Sequence, residues 1–305
     1  MSPKHLIINC DDFGQSPPMN QAIMHLLEER KVSSATIMVP APGFEEAAAW
    51  CQRRKQANVG LHMTLTSEFD AIRWASLTGH PTLHDESGKM HKTVEAFERR
   101  ADTAAIIQEL IAQYEKLMSY GIRPSHVDNH MGSLYGIAAG RSHIPQALKL
   151  CAKWKLPFRL FRKVHSGDPL LATIPGVDRV AAKGSALAGM LGVALPDYLL
   201  SHPFHLREGE TYERFKEEMI AKMYDLPEGI SETYIHPAVE DARMLEMVPH
   251  WEKRVWEYKL MLDDDFAYAI KDAGVILTDY SYVQEHGRAP RIASAFALAR
   301  ELLRK

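Results

Sequence analysis

Apolar and polar positions along the chain switch between two periods. Short apolar runs of strand length keep giving way to stretches in which apolar residues recur every three or four positions. The first run, Leu6–Cys10, reads as a strand buried on both faces. Met19–Arg30 follows at helical spacing, and Val32–Val39 reads as a second strand stopped by Pro40 and Pro42. Phe44–Gln56 is a short amphipathic helix and Asn58–Thr66 a third strand. Thr93–Tyr120 reads as one long helix, with Ile106, Leu110 and Leu117 on its apolar face and Gly121 behind it. Pro124–Gly132 is the fourth strand, Ile144–Lys155 a helix and Pro157–Phe161 the fifth strand. Tyr198–His202, Thr233–Pro237 and Val275–Tyr280 complete eight candidate strands. Helices fall over Thr211–Tyr224, Met247–Met261, Asp263–Ala273 and Ala293–Lys305.

This alternation predicts an α/β fold with a parallel sheet and helical crossovers. Eight strands suffice to close a single-domain (β/α) barrel over residues 1–305, distorted but TIM-like, with its active site at the C-terminal ends of the strands. A doubly wound open sheet is the alternative. Two stretches fit no element. Residues 67–93 are polar and turn-rich and read as a lid or substrate loop. Residues 163–196 are rich in Gly, Ala and Pro and show no clear period.

Bulk properties narrow the function classes. A net charge of −3 and a pI near 6.6 argue against general nucleic-acid binding. Cys10, Cys51 and Cys151 lack metal-type spacing and read as buried reduced thiols. No stretch approaches the roughly 18 apolar residues of a membrane span. Leu6–Cys10 is too short for a secretory signal, since Asp11 interrupts it. The expectation is a cytoplasmic protein with neither nucleic acid nor membrane as partner.

Chemistry gathers at the ends of the apolar runs. Asp11 and Asp12 close the first, His62 lies in the third, His126, Asp128 and His130 in the fourth, and His236 ends the seventh. Buried carboxylates are costly unless paired or metal-bound. Two imidazoles and one carboxylate with open positions make a familiar catalytic metal set. Geometry restricts the choice. In an extended strand His126 and His130 lie about 13 Å apart, so both reach one ion only if the chain turns between them. His130, nearer the rim and followed by Gly132, is the better ligand, and His126 is either a deeper partner or a buried core histidine. Asp11 and Asp12 would face opposite ways in a regular strand, so they share a site only if the strand is already ending. Asp128 either orients an imidazole or caps a turn. Arg159 holds Asp11, holds the substrate, or lies in solvent. His202 and His205 are weaker candidates. Phe13, Trp74, Tyr135, Phe161 and Tyr280 lie near the rim, where an aromatic face either stacks on a sugar or packs in the core.

Four motifs carry a resemblance: Asn-x-Asp-Asp-Phe-Gly at 9–14, Gly-Leu-His-x-x-Leu-Thr at 60–66, His-x-Asp-x-His at 126–130 and His-Pro at 236–237. In this order and spacing the chain resembles the YdjC-like carbohydrate deacetylases, which include the chitooligosaccharide deacetylases. The resemblance implies a (β/α) barrel, a homodimer, and one divalent metal ion, magnesium or zinc. It also implies hydrolysis of an N-acetyl group on a small-molecule amino sugar or oligosaccharide. By motif position Asp12, His62 and His130 match the metal ligands, Asp11 the general base and His236 the candidate acid, leaving His126, Asp128 and Arg159 as supporting or substrate-binding residues. The chain departs from many relatives in reading Met131-Gly132-Ser133 after His130, and it is longer than compact members around 163–210, so chitooligosaccharide is not assumed.

The chemistry is consistent with this. A metal lowers the pKa of water and polarises an acyl carbonyl. Asp11 could take the water proton, and His236 could protonate the departing nitrogen. Other readings are a different metal-assisted amidohydrolase or phosphoesterase, or a non-catalytic sugar-binding protein with a retired site. A phosphate substrate would favour a Gly-rich phosphate loop or clustered basic residues, and no clear one is present. The second would be expected to have lost a ligand or the base, and all five residues are present.

Overall fold

The computed structural model describes residues 3–55 and 58–303. The expected helix ends at Gln56 and Lys305 lie outside the described residues. The strands are β1 (Lys4–Phe13), β2 (Ser34–Ile37), β3 (Val59–Met63), β4 (Val127–Asn129), β5 (Tyr198–Leu200), β6 (Gly229–Ile235) and β7 (Val275–Leu277). All pairings between them are parallel, in the order β4-β3-β2-β1-β6-β5, with β7 added to β1. The sheet curls into a half-barrel, in keeping with a distorted (β/α) barrel.

β1 is the axis of the sheet. It pairs with β6 from Lys4 to Cys10. Its other edge is divided: β7 pairs with Lys4–Leu6 and β2 with Asn9, Cys10 and Phe13. Leu6, Ile7, Ile8, Cys10 and Phe13 are all buried, which is why the run carries no polar alternation.

The expected fifth strand is not a strand. Pro157 offers no amide hydrogen, and the Leu160 amide turns back to the Phe158 carbonyl at 2.9 Å. What remains is two isolated parallel bridges, Val127 with Phe158 and Lys163 with Tyr198. They span the gap between edge strands β4 and β5. The kink also turns Arg159 inward, where it is buried.

Other expected elements shorten or divide. The helix read over 93–120 is two, Val94–Arg100 and Thr103–Ser119, because the Asp102 carboxylate accepts from the Ala104 and Ala105 amides and starts the second. The helix expected from 247 begins at Trp251, after His250 in a left-handed conformation, and a short helix Ala242–Met247 precedes it. The last strand ends at Leu277, since Asp279 caps a helix over Tyr280–His286. Within 163–196 lies a helix, Val177–Leu191, ended by Gly192. The terminal helix Arg291–Leu303 packs against it. Among the described residues no helix is long and apolar enough to cross a membrane. Cys10, Cys51 and Cys151 are buried and free.

Candidate functional site

Asp11 and Asp12 come together by a route other than strand termination. β1 continues to Phe13, but its register with β2 shifts between Cys10 and Phe13, and Asp12 has φ 63. This bulge places one residue in the left-handed region and turns the second carboxylate toward the same rim as the first. Such a conformation costs a non-glycine residue roughly 1–2 kcal/mol.

His62 comes from β3 and His130 from the turn immediately after β4. Three donor atoms from three chain segments then converge. Asp12 Oδ1 lies 3.2 Å from His130 Nδ1 and 3.5 Å from His62 Nε2. The two imidazole nitrogens are 3.3 Å apart. Donors bonded to one cation at about 2.0–2.1 Å with near-tetrahedral angles would stand about 3.3–3.4 Å from each other.

The outer nitrogens decide which atoms carry lone pairs. His62 Nδ1 faces Asp128 Oδ1 at 2.7 Å, so it is the protonated nitrogen and Nε2 is left with its lone pair. His130 Nε2 faces Glu68 Oε2 at 2.8 Å, which leaves Nδ1 with its lone pair. Asp12 Oδ1 is buried and faces no polar partner besides these two imidazoles. Three electron-rich atoms therefore face one another, and each imidazole is backed by a carboxylate, as in carboxylate–histidine–metal triads. These residues fit a divalent cation. Without one, burial disfavours charge on the two imidazoles, but Asp128 outweighs it at His62 and Glu68 at His130, so the pair holds a proton above neutral pH.

Asp11, His62 and Asp128 also place ligand-competent atoms close together. That space belongs to a cation already present. Arg159 meets both oxygens of Asp11 at 2.6 and 2.7 Å, Asp128 Oδ2 at 2.9 Å and Glu232 Oε1 at 2.9 Å. Burial raises the Asp11 carboxyl, but the Arg159 guanidinium overcomes this and holds it at about 2. Asn9 Nδ2 adds a bond to Asp11 Oδ1 at 2.9 Å, and Thr36 Oγ1 donates to Asp128 Oδ2 at 2.8 Å. Burial likewise raises Asp12, but Arg254, 2.9 Å from Oδ2, holds it well below the usual carboxylate range.

Asp11, Asp12, His62, His130, Arg159 and His236 line one cavity of about 450 Å³ at the C-terminal ends of β1, β3, β4 and β6. His236 follows β6, with its backbone amide donating to Glu257 at 2.6 Å and its ring edge-on to Phe204. Burial pushes its imidazole down, so it is neutral at neutral pH.

His126 does not join them. The chain turns only at His130, and His126 stays at the other end of β4. Its ring stacks on Tyr280 at 3.7 Å, and Ser125 Oγ lies 2.9 Å from Nδ1. A Cβ on Gly60 would come within 2.6 Å of that ring, which explains the glycine before Leu61-His62. Of the rim aromatics, only Tyr135 lines the cavity; Phe13, Trp74, Phe161 and Tyr280 are buried in the core. His202 is also buried, with Nε2 2.6 Å from Glu257, whereas His205 lines the cavity.

Sequence reasoning missed Glu68, Arg254 and Glu232. Glu68 and Arg254 carry no local signal, one in a polar loop and the other on an amphipathic helix. Glu232 did carry one. It is an acid in the middle of the buried strand Ile230–Ile235, with Arg159 and Tyr280 Oη as partners, and burial pushes it up to about 7.

Comparison with known proteins agrees with the motif pattern. A carbohydrate deacetylase of Geobacillus stearothermophilus is 27% identical over 281 residues, covering 91% of this chain and 97% of that protein. A carbohydrate deacetylase of Enterococcus faecalis is 27% identical over 288 residues, covering 92% and 98%. Among solved structures, an Enterococcus faecalis protein named for cellobiose-phosphate cleavage shares the fold, with a TM-score of 0.71 and 24% identity over 92% of this chain and 99% of that one. The YdjC-like protein family matches residues 5–272, and the chain belongs to that family.

Proposed function

We propose that this protein is a metal-dependent hydrolase that removes the N-acetyl group from an acetylated amino sugar or short oligosaccharide. One observation carries the reading: two imidazoles, each anchored by a carboxylate, converge with a buried Asp12 oxygen that faces no other polar partner, inside a cavity that also contains Asp11 and His236. The relatives named carbohydrate deacetylase support the substrate class. The barrel is read as one domain with its active site at the strand C-termini.

Asp12, His62 and His130 would hold the cation, and this donor set suits zinc better than magnesium, which prefers oxygen ligands. When bound, the cation supplies Lewis acidity toward water and the acyl carbonyl. Asp11 is ionised at any working pH, because Arg159 holds its carboxyl at about 2. Its role is to orient the attacking water and accept its proton, and the drive for transfer comes from acidified water rather than from a strong base. Arg159 fixes that carboxylate by two hydrogen bonds, so Asp11 cannot rotate away. His236, on a different strand end, protonates the departing nitrogen. Because it is neutral at neutral pH, it first takes up the proton that leaves the attacking water, and as an imidazolium of lowered pKa it is then a stronger acid than free imidazole.

The test is acetate release from a panel of N-acetylated sugars by zinc-loaded and chelator-stripped protein. Release by the loaded form alone is expected. Stoichiometric metal with no acetate from any sugar would turn the reading toward another metal-assisted hydrolase, and failure to bind metal would end it.

A further inference from the structure

One wall of the metal-site cavity is aliphatic. Met131, Ile137, Leu170, Leu171, Ile174 and Leu199 line it. Met131, Ile137 and Leu170 are 41%, 55% and 41% exposed, so apolar side chains at the cavity mouth stand uncovered. Met131 directly follows the ligand-set residue His130 and takes φ 54, a left-handed conformation that a non-glycine side chain rarely adopts. Leu171 and Ile174 pack with Leu199 and Tyr234. The Tyr234 ring in turn lies 4.9 Å from the Arg159 guanidinium that grips Asp11. The aliphatic surface is thus continuous with the reacting centre.

A sugar ring does not explain this wall. Its hydroxyls need hydrogen-bond partners when removed from water, and saturated side chains offer none. The methyl of an acetyl group is too small to cover six such residues. A saturated chain fits both observations. We propose that the substrate is an amino sugar bearing an alkyl chain longer than an acetyl methyl, carried as the N-acyl group or as the glycosidic aglycone, and that this wall binds the chain. The inference rests on the deacylase reading of the centre. With a longer acyl group the reaction is unchanged in balance: the water hydroxyl goes to the acyl carbon, its hydrogen to the nitrogen, and the C–N bond breaks to give a fatty acid and a free amine.

Two substrate series test this with the zinc-loaded full-length protein. One lengthens the acyl group on methyl glucosaminide from acetyl to butanoyl and hexanoyl. The other keeps N-acetyl and lengthens the aglycone from methyl to butyl and octyl. The expected result is a rise in kcat/KM of roughly fourfold per added methylene in one series, which identifies where the chain is carried. Flat or falling values in both series overturn the proposal. In the Ile137→Asn, Leu170→Gln double variant the slope against chain length should flatten, and an unchanged slope also overturns it. If zinc-loaded protein releases no acyl group from any compound, the deacylase reading fails on its own. Calorimetry of octyl against methyl glucosaminide with the same protein then still reads the wall: tighter octyl binding supports it, and equal affinity refutes it.

Discussion

Glu68→Ala should weaken zinc binding without touching a ligand. In the parent protein Glu68 Oε2 receives the His130 Nε2 hydrogen at 2.8 Å and so fixes which nitrogen keeps its lone pair. The bond is charge-assisted, and Glu68 is largely covered while still reaching solvent, with 16% of its side chain exposed. Removing it leaves His130 free to rotate and to exchange tautomers, and it withdraws a negative charge one imidazole away from the cation. Losses of this kind amount to about 10–100-fold in metal affinity, or about 1.4–2.7 kcal/mol. Glu68→Gln should lose less, because its amide oxygen accepts the same hydrogen bond without the charge. Competition against a chromophoric chelator at fixed pH measures all three proteins. A Glu68→Ala protein that binds zinc as tightly as the parent would refute the lone-pair argument, since His130 Nδ1 would then need no outside anchor.

Three further outcomes follow from the same geometry. His62→Ala should abolish zinc binding, while Asp11→Asn should retain zinc and lose about 10²–10⁴-fold in turnover; equal metal loss in both would overturn the division between ligand and base. Arg159→Met should destabilise the fold by about 3–5 kcal/mol in urea unfolding, because it leaves buried carboxylates at Asp11, Asp128 and Glu232 without their cation; a change under 1 kcal/mol would contradict that. Lys222 supplies a pH test away from the site. Burial pushes its amine down to about 8, against about 10.4 in the unfolded chain. The cost is therefore present in full below pH 8 and is relieved as pH rises toward 10.4. That cost is about 3 kcal/mol, and the bond from Nζ to the Ser201 carbonyl offsets about 1 of it. Lys222→Met should thus stabilise the protein by about 2 kcal/mol at pH 7 and leave its stability nearly unchanged, within about 0.5 kcal/mol, at pH 10, and destabilisation at pH 7 would refute it.

The central residues were legible because each interrupts or ends an apolar run. Asp11, Asp12 and His62 are costly where they stand, and that cost shows in one dimension. Glu232 obeys the same rule and went unread, because Ser231 and Thr233 beside it make the strand look half-polar. Local geometry was harder. The bulge at Asp12 depends on the register between β1 and β2, which is a property of two strands and not of either alone. The loss of the fifth strand followed from Pro157 and a turn at Phe158–Leu160, yet that same kink is what delivers Arg159 to Asp11. Glu68 and Arg254 contribute only through tertiary approach, so no pattern around them could mark them.

X-ray absorption spectroscopy of the zinc-loaded protein tests the central claim most directly. The account predicts one zinc per chain, with nitrogen and oxygen neighbours at about 2.0–2.1 Å and outer-shell scattering from two imidazoles. A sulfur neighbour, or scattering from fewer than two imidazoles, would contradict it.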